Sequence, residues 1–475
     1  MKKTIFLALQ AVALAAHGEI DTNEVQSLRR ELEELRQHTR LLEDKLSQLE
    51  SKVKAGPTLA PTNTAPAVGA PAATPAPAST NQTAAVGGSA KPTTAWSPAQ
   101  PITVMRAGSA YMNVSFDAVM NAGWSTSPDV AKDLQLGDHD PIQRGFSMRN
   151  AELSLDGAVD PYFKGFGNIV MKLEKDASTT IELEEAYLMS TSLPGNLQLK
   201  AGQFFSEFGR QNPQHPHQWA FVDQPLILNR MFGPDGLRNP GARLSWLLPT
   251  PFYTEAFLGV FNGQGGTAFS FRDPDAEGNH GRTPLDNHLR GPGDFLYVPR
   301  VASSFEVTDH QTLVVGASVA FGPNNTGEDT RTQIYGLDTY WKWKPANAGE
   351  GFPFVSWQNE VLARRFEAAS DPAAGLPRET LRDWGFYSQV LWGFHPHWVA
   401  GLRGEWVDGN SAQYDALDPF RGERTRVSPN LTWYPSEFSK IRLQYNLDHG
   451  TRFGDEHSVW LQLEFLLGAH GAHKF

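Results

Sequence analysis

The sequence predicts an all-β fold, a transmembrane antiparallel β-barrel of about 16 strands preceded by an α-helical coiled coil. Three observations predict it. In the last stretch, Val459 to Phe475, the residues Val459, Leu461, Leu463, Phe465 and Leu467 share one face, while Trp460, Gln462 and Glu464 begin the other. Successive strand side chains point to opposite faces, so this is a strand greasy on one side and wet on the other, long enough to cross a bilayer at a tilt. Alternating segments of this kind recur from residue 111 onward, sixteen in all, an even number as bacterial single-chain barrels require. The connections between them are short at one end and long at the other, a segregation that a two-sheet sandwich has no reason to show.

In chain order, residues 1–18 are a predicted signal peptide: Met1-Lys2-Lys3 is positive, Ile5 to Ala16 is an apolar run, and Ala13 and Ala15 give an A-x-A spacing. Residues 22–54 place apolar side chains at Val25, Leu28, Leu32, Leu35, Leu42, Leu46, Leu49 and Val53, with Thr39 in the remaining slot. Spacings of three and four alternate, which makes a heptad and predicts a short self-associating coiled coil. Residues 55–101 are rich in Ala, Pro and Thr and bury too little apolar surface to offset ordering entropy, so a disordered tether is expected. Residues 102–475 form the predicted barrel, from Tyr111–Ala122 and Gly145–Val159 through Ala242–Leu248 to Ser458–Phe475. Short connections include Asp160-Pro161, Pro194-Gly195-Asn196 and His395-Pro396-His397. Long ones include Gly209–Gly241, Asn262–Leu296, Glu367–Thr380 and Asp408–Arg424.

The chain has no cysteine, which excludes a disulfide scaffold, thiol catalysis and thiolate zinc sites. Its 43 Gly, 28 Phe, 13 Trp and 11 Tyr suit many short strands whose two faces cancel in hydropathy. Ten of the 41 basic and nine of the 52 acidic residues fall within the first 100, leaving 31 against 43 in the predicted barrel. An acidic domain argues against a nucleic-acid partner. No Gly-x-Ser-x-Gly, phosphate loop, dinucleotide fingerprint or His-Glu-x-x-His occurs, so no enzyme is expected. Consecutive Glu184 and Glu185 are expected on opposite faces of their strand, unable to share a ligand.

Opposite the apolar face of each strand lie the candidate pore-lining residues Glu152, Lys172, Glu174, Glu182, Glu184, Glu360, Arg364, Arg403, Glu405, Arg424, Arg426, Arg442 and Glu464. Carboxylates outnumber cations among them, and a carboxylate ring favours cations in a water-filled pore. The Gly209–Gly241 loop carries Trp219, Phe221, Val222, Leu226, Ile227, Leu228, Met231 and Phe232, too many apolar residues for an outside loop. It is expected to fold inward as a constriction, with Arg210, Asp223, Arg230, Asp235 and Arg238 facing the bore. The loop histidines His215, His217, His280 and His288, near Asp223, Asp235 or Asp286 in sequence, offer donors for zinc, the single cofactor considered.

In and around Asn150–Arg210, NAELSLDGAVDPYFKG and ELEEAYLMSTSLPGNLQLKAGQFFSEFGRQN set a strand ending in Gly before an Asp-Pro turn. Glu-Ala-Tyr, a Leu-Pro turn and a Gly-Gln-Phe strand follow. Over roughly Gly145 to Phe475 the chain resembles the phosphate-selective porin O/P-type family. The resemblance implies an outer-membrane porin, a homotrimer embedded in outer-membrane lipid, passing small hydrophilic solutes by diffusion. The family's ladder of inward arginines and lysines is not matched, so phosphate selectivity is not carried over. The amino-terminal extension is expected in the periplasm, its coiled coil in reach of peptidoglycan. A metal-linked outer-membrane receptor using the loop histidines is the alternative.

Overall fold

The computed structural model describes residues 101–468, apart from 135–136, 192, 276, 286–288, 350, 417, 419–420 and 452. The expected signal peptide, coiled coil and tether, and the chain after Gly468, lie outside the described residues. The described strands are β1 (Ile102–Ala107), β2 (Ala110–Ser125), β3 (Gly145–Ala158), β4 (Phe163–Leu173), β5 (Thr179–Ser190), β6 (Leu197–Phe205), β7 (Arg238–Leu247) and β8 (Tyr253–Phe261). They continue as β9 (Leu296–Thr308), β10 (Gln311–Pro323), β11 (Arg331–Trp343), β12 (Phe354–Ala368), β13 (Glu379–His395), β14 (Trp398–Gly409), β15 (Arg424–Ser436), β16 (Ser439–Gly450) and β17 (Gly454–Leu467).

Each of β2 to β17 pairs antiparallel with its sequence neighbours, and β17 returns to β2 from Ser458↔Ser125 to Leu467↔Phe116. The sixteen strands therefore close into a barrel, and closure removes the unpaired edges that an open sheet would expose. β1 is an addition to the predicted set. Its alternation is too short to stand out in sequence, and it takes up β2 from Val114 to Ala110, where the described β17 ladder has ended. β7 begins at Arg238 rather than at the expected Ala242, because Pro240 reads as a strand breaker yet is accommodated opposite Gln203.

Alternation gives the wall its two faces. Leu337, 63% exposed, and Phe146, 82% exposed, stand on the outside with Val361, Leu402 and Leu461. Ile334, Leu362, Arg403 and Gln462 point inward and are buried. The seven connections at one end are short, and the Asp160 carboxylate closes the first by accepting from the N–H groups of Tyr162 (2.8 Å) and Phe163 (3.0 Å). The long connections 126–144, 206–237 and 262–295 lie at the other end and carry buried residues of their own.

Loop 206–237 folds into the bore. Its short helix, Leu226–Phe232, packs on β13 and β14, and Phe208, Ile227, Met231 and Phe232 join Val298, Ile334, Leu362 and Tyr387 in one apolar core. Two inward glycines make the approach possible. A Cβ on Gly385 would stand 2.9 Å from Ile227 Cδ1, and one on Gly336 would stand 2.6 Å from Phe208 Cε1.

Candidate functional site

The lumen has two chemically opposed walls with loop 206–237 between them. On the β12–β16 side, inward positions alternate with the exposed outer face and carry Arg364, Arg403, Arg424, Arg426, Lys440 and Arg442, all nearly fully buried. An inward basic array thus exists: all but Lys440 are expected inward from the sequence, which nevertheless shows no ladder. Its charges are matched from within the chain. Asp223, at the middle of the loop, accepts from Arg403, Arg426 (3.1 Å), Gln444 (2.9 Å) and Asn446 (2.7 Å). Asp383 takes Arg364 at 2.6 Å and Arg421 at 3.1 Å, and Asp448 takes Arg426 at 2.8 Å.

The same wall grips the loop backbone. Lys440 donates to the carbonyl of His217 (2.8 Å), Arg442 to that of Trp219 (3.0 Å) and Asn430 to that of Ala220 (2.9 Å). Glu405 accepts the Leu226 N–H at the start of the helix (2.7 Å), where orphan donors need a partner. Glu360 accepts the N–H groups of Arg210 (3.0 Å) and Gln211 (2.7 Å) and the Tyr387 hydroxyl (2.8 Å). Glu360, Arg403, Glu405, Arg426 and Arg442, expected to line open water, are instead covered by the loop they hold.

On the β2–β5 side the inward residues include the carboxylates of Asp117, Glu152, Glu184 and Glu185, all buried, and of half-buried Glu182, against the buried cations Arg149 and Lys172. Glu184 and Glu185 correct the expectation of opposite faces. The β4–β5 register shifts between Asn168↔Glu185 and Ile169↔Leu183, and this bulge turns both carboxylates inward. His215 lies between them, its Nδ1 at 2.9 Å from Glu184 and its Nε2 at 2.9 Å from Glu185. His217 stacks on His215 with ring centroids 5.7 Å apart and approaches Asp117 and Glu152.

The remaining candidates are dispersed. Lys172 pairs with Glu182 (2.9 Å) and Asp138, and Glu464 with Lys440 (2.6 Å). Glu174 lies just past the end of β4, half-exposed, on Arg149 (2.6 Å). Arg424 donates to the Leu134 carbonyl (3.1 Å). Arg210 lies over the Tyr340 ring (3.8 Å), Arg230 donates to the carbonyls of Arg421 (3.3 Å) and Gly422 (3.1 Å), and Arg238 binds Glu182 and the Glu184 carbonyl. Asp235 shares a loop cluster with Asp138 and His139, where burial and the Asp138 carboxylate push its carboxyl up to about 6.

The candidate histidines fall in different surroundings. His280 packs edge-on against Phe366 and Tyr414, and burial with the Arg364 guanidinium holds its imidazole well below the usual value. Such a cationic surround does not fit a metal ligand. His288 and Asp286 lie outside the described residues. Asp223 serves arginines, so the carboxylates near His215 and His217 are Asp117, Glu152, Glu184 and Glu185. The strand residues that complete this cluster were missed because their partners are distant in sequence.

No family model matches the sequence. An uncharacterized protein of Aquifex aeolicus is 31% identical over 348 residues, which span 70% of this chain and 71% of the relative. Among solved structures, the outer membrane channel DcaP of Acinetobacter baumannii is similar at a TM-score of 0.52 and 14% identity, over 75% of this chain and 97% of the other. The barrel is thus of the kind found in an outer-membrane channel. The phosphate-selective resemblance rests on the hairpin motifs alone.

Proposed function

The chain belongs to the same family as the uncharacterized protein of Aquifex aeolicus, and from that premise we propose a function read from its own barrel: an outer-membrane porin that passes small hydrophilic solutes by passive diffusion. The observation that carries this reading is a closed sixteen-stranded barrel, apolar outside, whose bore is lined by opposed acidic and basic walls. An oil-compatible exterior suits a bilayer, and a polar interior suits a water-filled path. The channel fold of the similar solved structure supports it. The heptad segment supports self-association, which the porin reading takes as a trimer, with residues 22–54 in the periplasm reaching towards peptidoglycan.

Because each inward arginine described above has a partner within the chain, the basic wall presents little free positive charge, and we expect weak charge selectivity. Planar-bilayer recording of the purified protein tests the reading. Stepwise conductance with a small reversal potential in a salt gradient is the expected result. Strong anion preference would favour the phosphate-selective type instead, and absence of conductance would refute the porin reading.

A further inference from the structure

The acidic wall and the loop together form a cluster that passive diffusion does not require. Glu152 is fully buried, and its Oε2 lies 3.4 Å from His215 Nδ1 and 3.5 Å from His217 Nδ1. Asp117 Oδ1 lies 3.6 Å from the same His217 nitrogen. An N–H···O bond has its atoms about 2.9 Å apart, so these separations are long for hydrogen bonds. They match the edge of a coordination tetrahedron, which is about 3.4 Å when bonds are about 2.1 Å, the length zinc makes to imidazole nitrogen and carboxylate oxygen. The donor atoms of Asp117, Glu152 and His217 lie within 4.8 Å of one another, as do those of Glu152, Glu184 and His215.

Four further contacts have the form of a supporting shell. The other ring nitrogen of His215 is held by Glu185 at 2.9 Å, which leaves Nδ1 facing Glu184 at 2.9 Å and Glu152 at 3.4 Å. Ligating histidines generally bind a carboxylate through their second nitrogen in this way, and here the β5 bulge supplies it. Asn168 Nδ2 donates to Glu152 (3.1 Å) and Glu184 (2.8 Å), and Asn150 Nδ2 donates to Asp117 Oδ2 (3.1 Å). Independently of these contacts, Glu152 Oε1 is buried with no hydrogen-bond partner. A buried acceptor left unmatched is costly, and a cation at this carboxylate would satisfy it.

We propose that the lumen binds a divalent transition-metal ion of the zinc class, with Asp117, Glu152, His215 and His217 as ligands and Glu184, Glu185 and Asn168 orienting them. Two imidazoles and two carboxylates with no thiolate suit zinc better than a soft or an all-oxygen cation. The ligands come from two parts of the chain: Asp117 and Glu152 from β2 and β3, and both histidines from loop 206–237. A bound ion therefore ties the loop to the wall and holds the constriction in place.

The test is calorimetric titration of the folded full chain in detergent with zinc chloride, alongside cobalt absorption spectra. Saturable binding of one ion per chain, with a visible cobalt band of tetrahedral type, is expected. Glu152→Gln and the double variant His215→Gln with His217→Gln should abolish it. Glu185→Gln should weaken it by about 10–100-fold. No binding by the unaltered chain overturns the site whether or not the variants fold, and binding that survives in the double variant places the ion elsewhere and also overturns it.

A conductance arm rests on the porin reading. Zinc should lower single-channel current and a chelator restore it. Bound zinc with unchanged current overturns the tying of the loop, whereas bound zinc in a protein that never conducts overturns the porin reading and leaves the metal site standing.

Discussion

Loop 206–237 meets two walls of one bore in different ways. Against β12–β16 it offers a carboxylate and a row of carbonyls to fixed cations, so Asp223 alone engages Arg403, Arg426, Gln444 and Asn446. Against β2–β5 it offers two imidazoles to Asp117, Glu152, Glu184 and Glu185. Arginine keeps its charge at any ordinary pH, so the first junction is a permanent clamp. Imidazole can give up its proton and take a metal, so the second is adjustable. The difference teaches that a constriction can be anchored on one side and left tunable on the other.

Asp223→Ala should have the largest effect on this arrangement. It takes from Arg403 and Arg426 the carboxylate they share, leaving Glu405 on the one and Asp448 on the other, a loss of about 3–5 kcal/mol for broken buried pairs. Thermal unfolding in detergent should fall, and proteolysis of the loop should accelerate. Leu228→Ala comes next, since it opens a cavity in the core under the helix and should remove about 2–5 kcal/mol. Loop proteolysis is again the readout, and an unaltered rate would mean that the apolar half of the loop does not anchor it.

On the acidic side, Glu185→Gln in metal-free buffer should cost less, about 1.5–3 kcal/mol for a hydrogen bond to a charged group. A thermal shift equal to that of Asp223→Ala would erase the distinction between clamp and adjustable junction. The smallest change is expected from Tyr387→Phe, about 1 kcal/mol, because Glu360 keeps the N–H groups of Arg210 and Gln211 after the hydroxyl is gone. Thermal unfolding should therefore shift less than in Glu185→Gln, and a larger shift would mean that the hydroxyl, not the two N–H groups, holds Glu360 in place.

Much of this was legible in the sequence because strand alternation is local. Val459, Leu461, Leu463 and Phe465 face outward while Trp460, Gln462 and Glu464 face inward, as period two requires. The greasy residues of the loop, from Trp219 to Phe232, announced packing, and all eight named ones are buried. What escaped was whatever depends on a one-residue change of register or on distant contact. Counting by twos placed Glu184 and Glu185 on opposite faces, since a bulge leaves no mark in composition. His217 meets Asp117 only because loop 206–237 crosses the bore, and no spacing in the sequence encodes that meeting. The arginines of β12–β16 were visible singly, but their pairing with Asp223, Asp383 and Asp448 follows from the fold.

The claim on which the rest depends is that loop 206–237 lies within the bore and narrows it. Single-channel conductance of the intact chain, compared with a variant in which residues 212–236 are replaced by a short Gly-Ser link, tests it most directly. The variant should fold as a barrel and conduct several-fold more current than the intact chain. Equal conductance in the two proteins would contradict the account, because the loop would then lie outside the path of the solute.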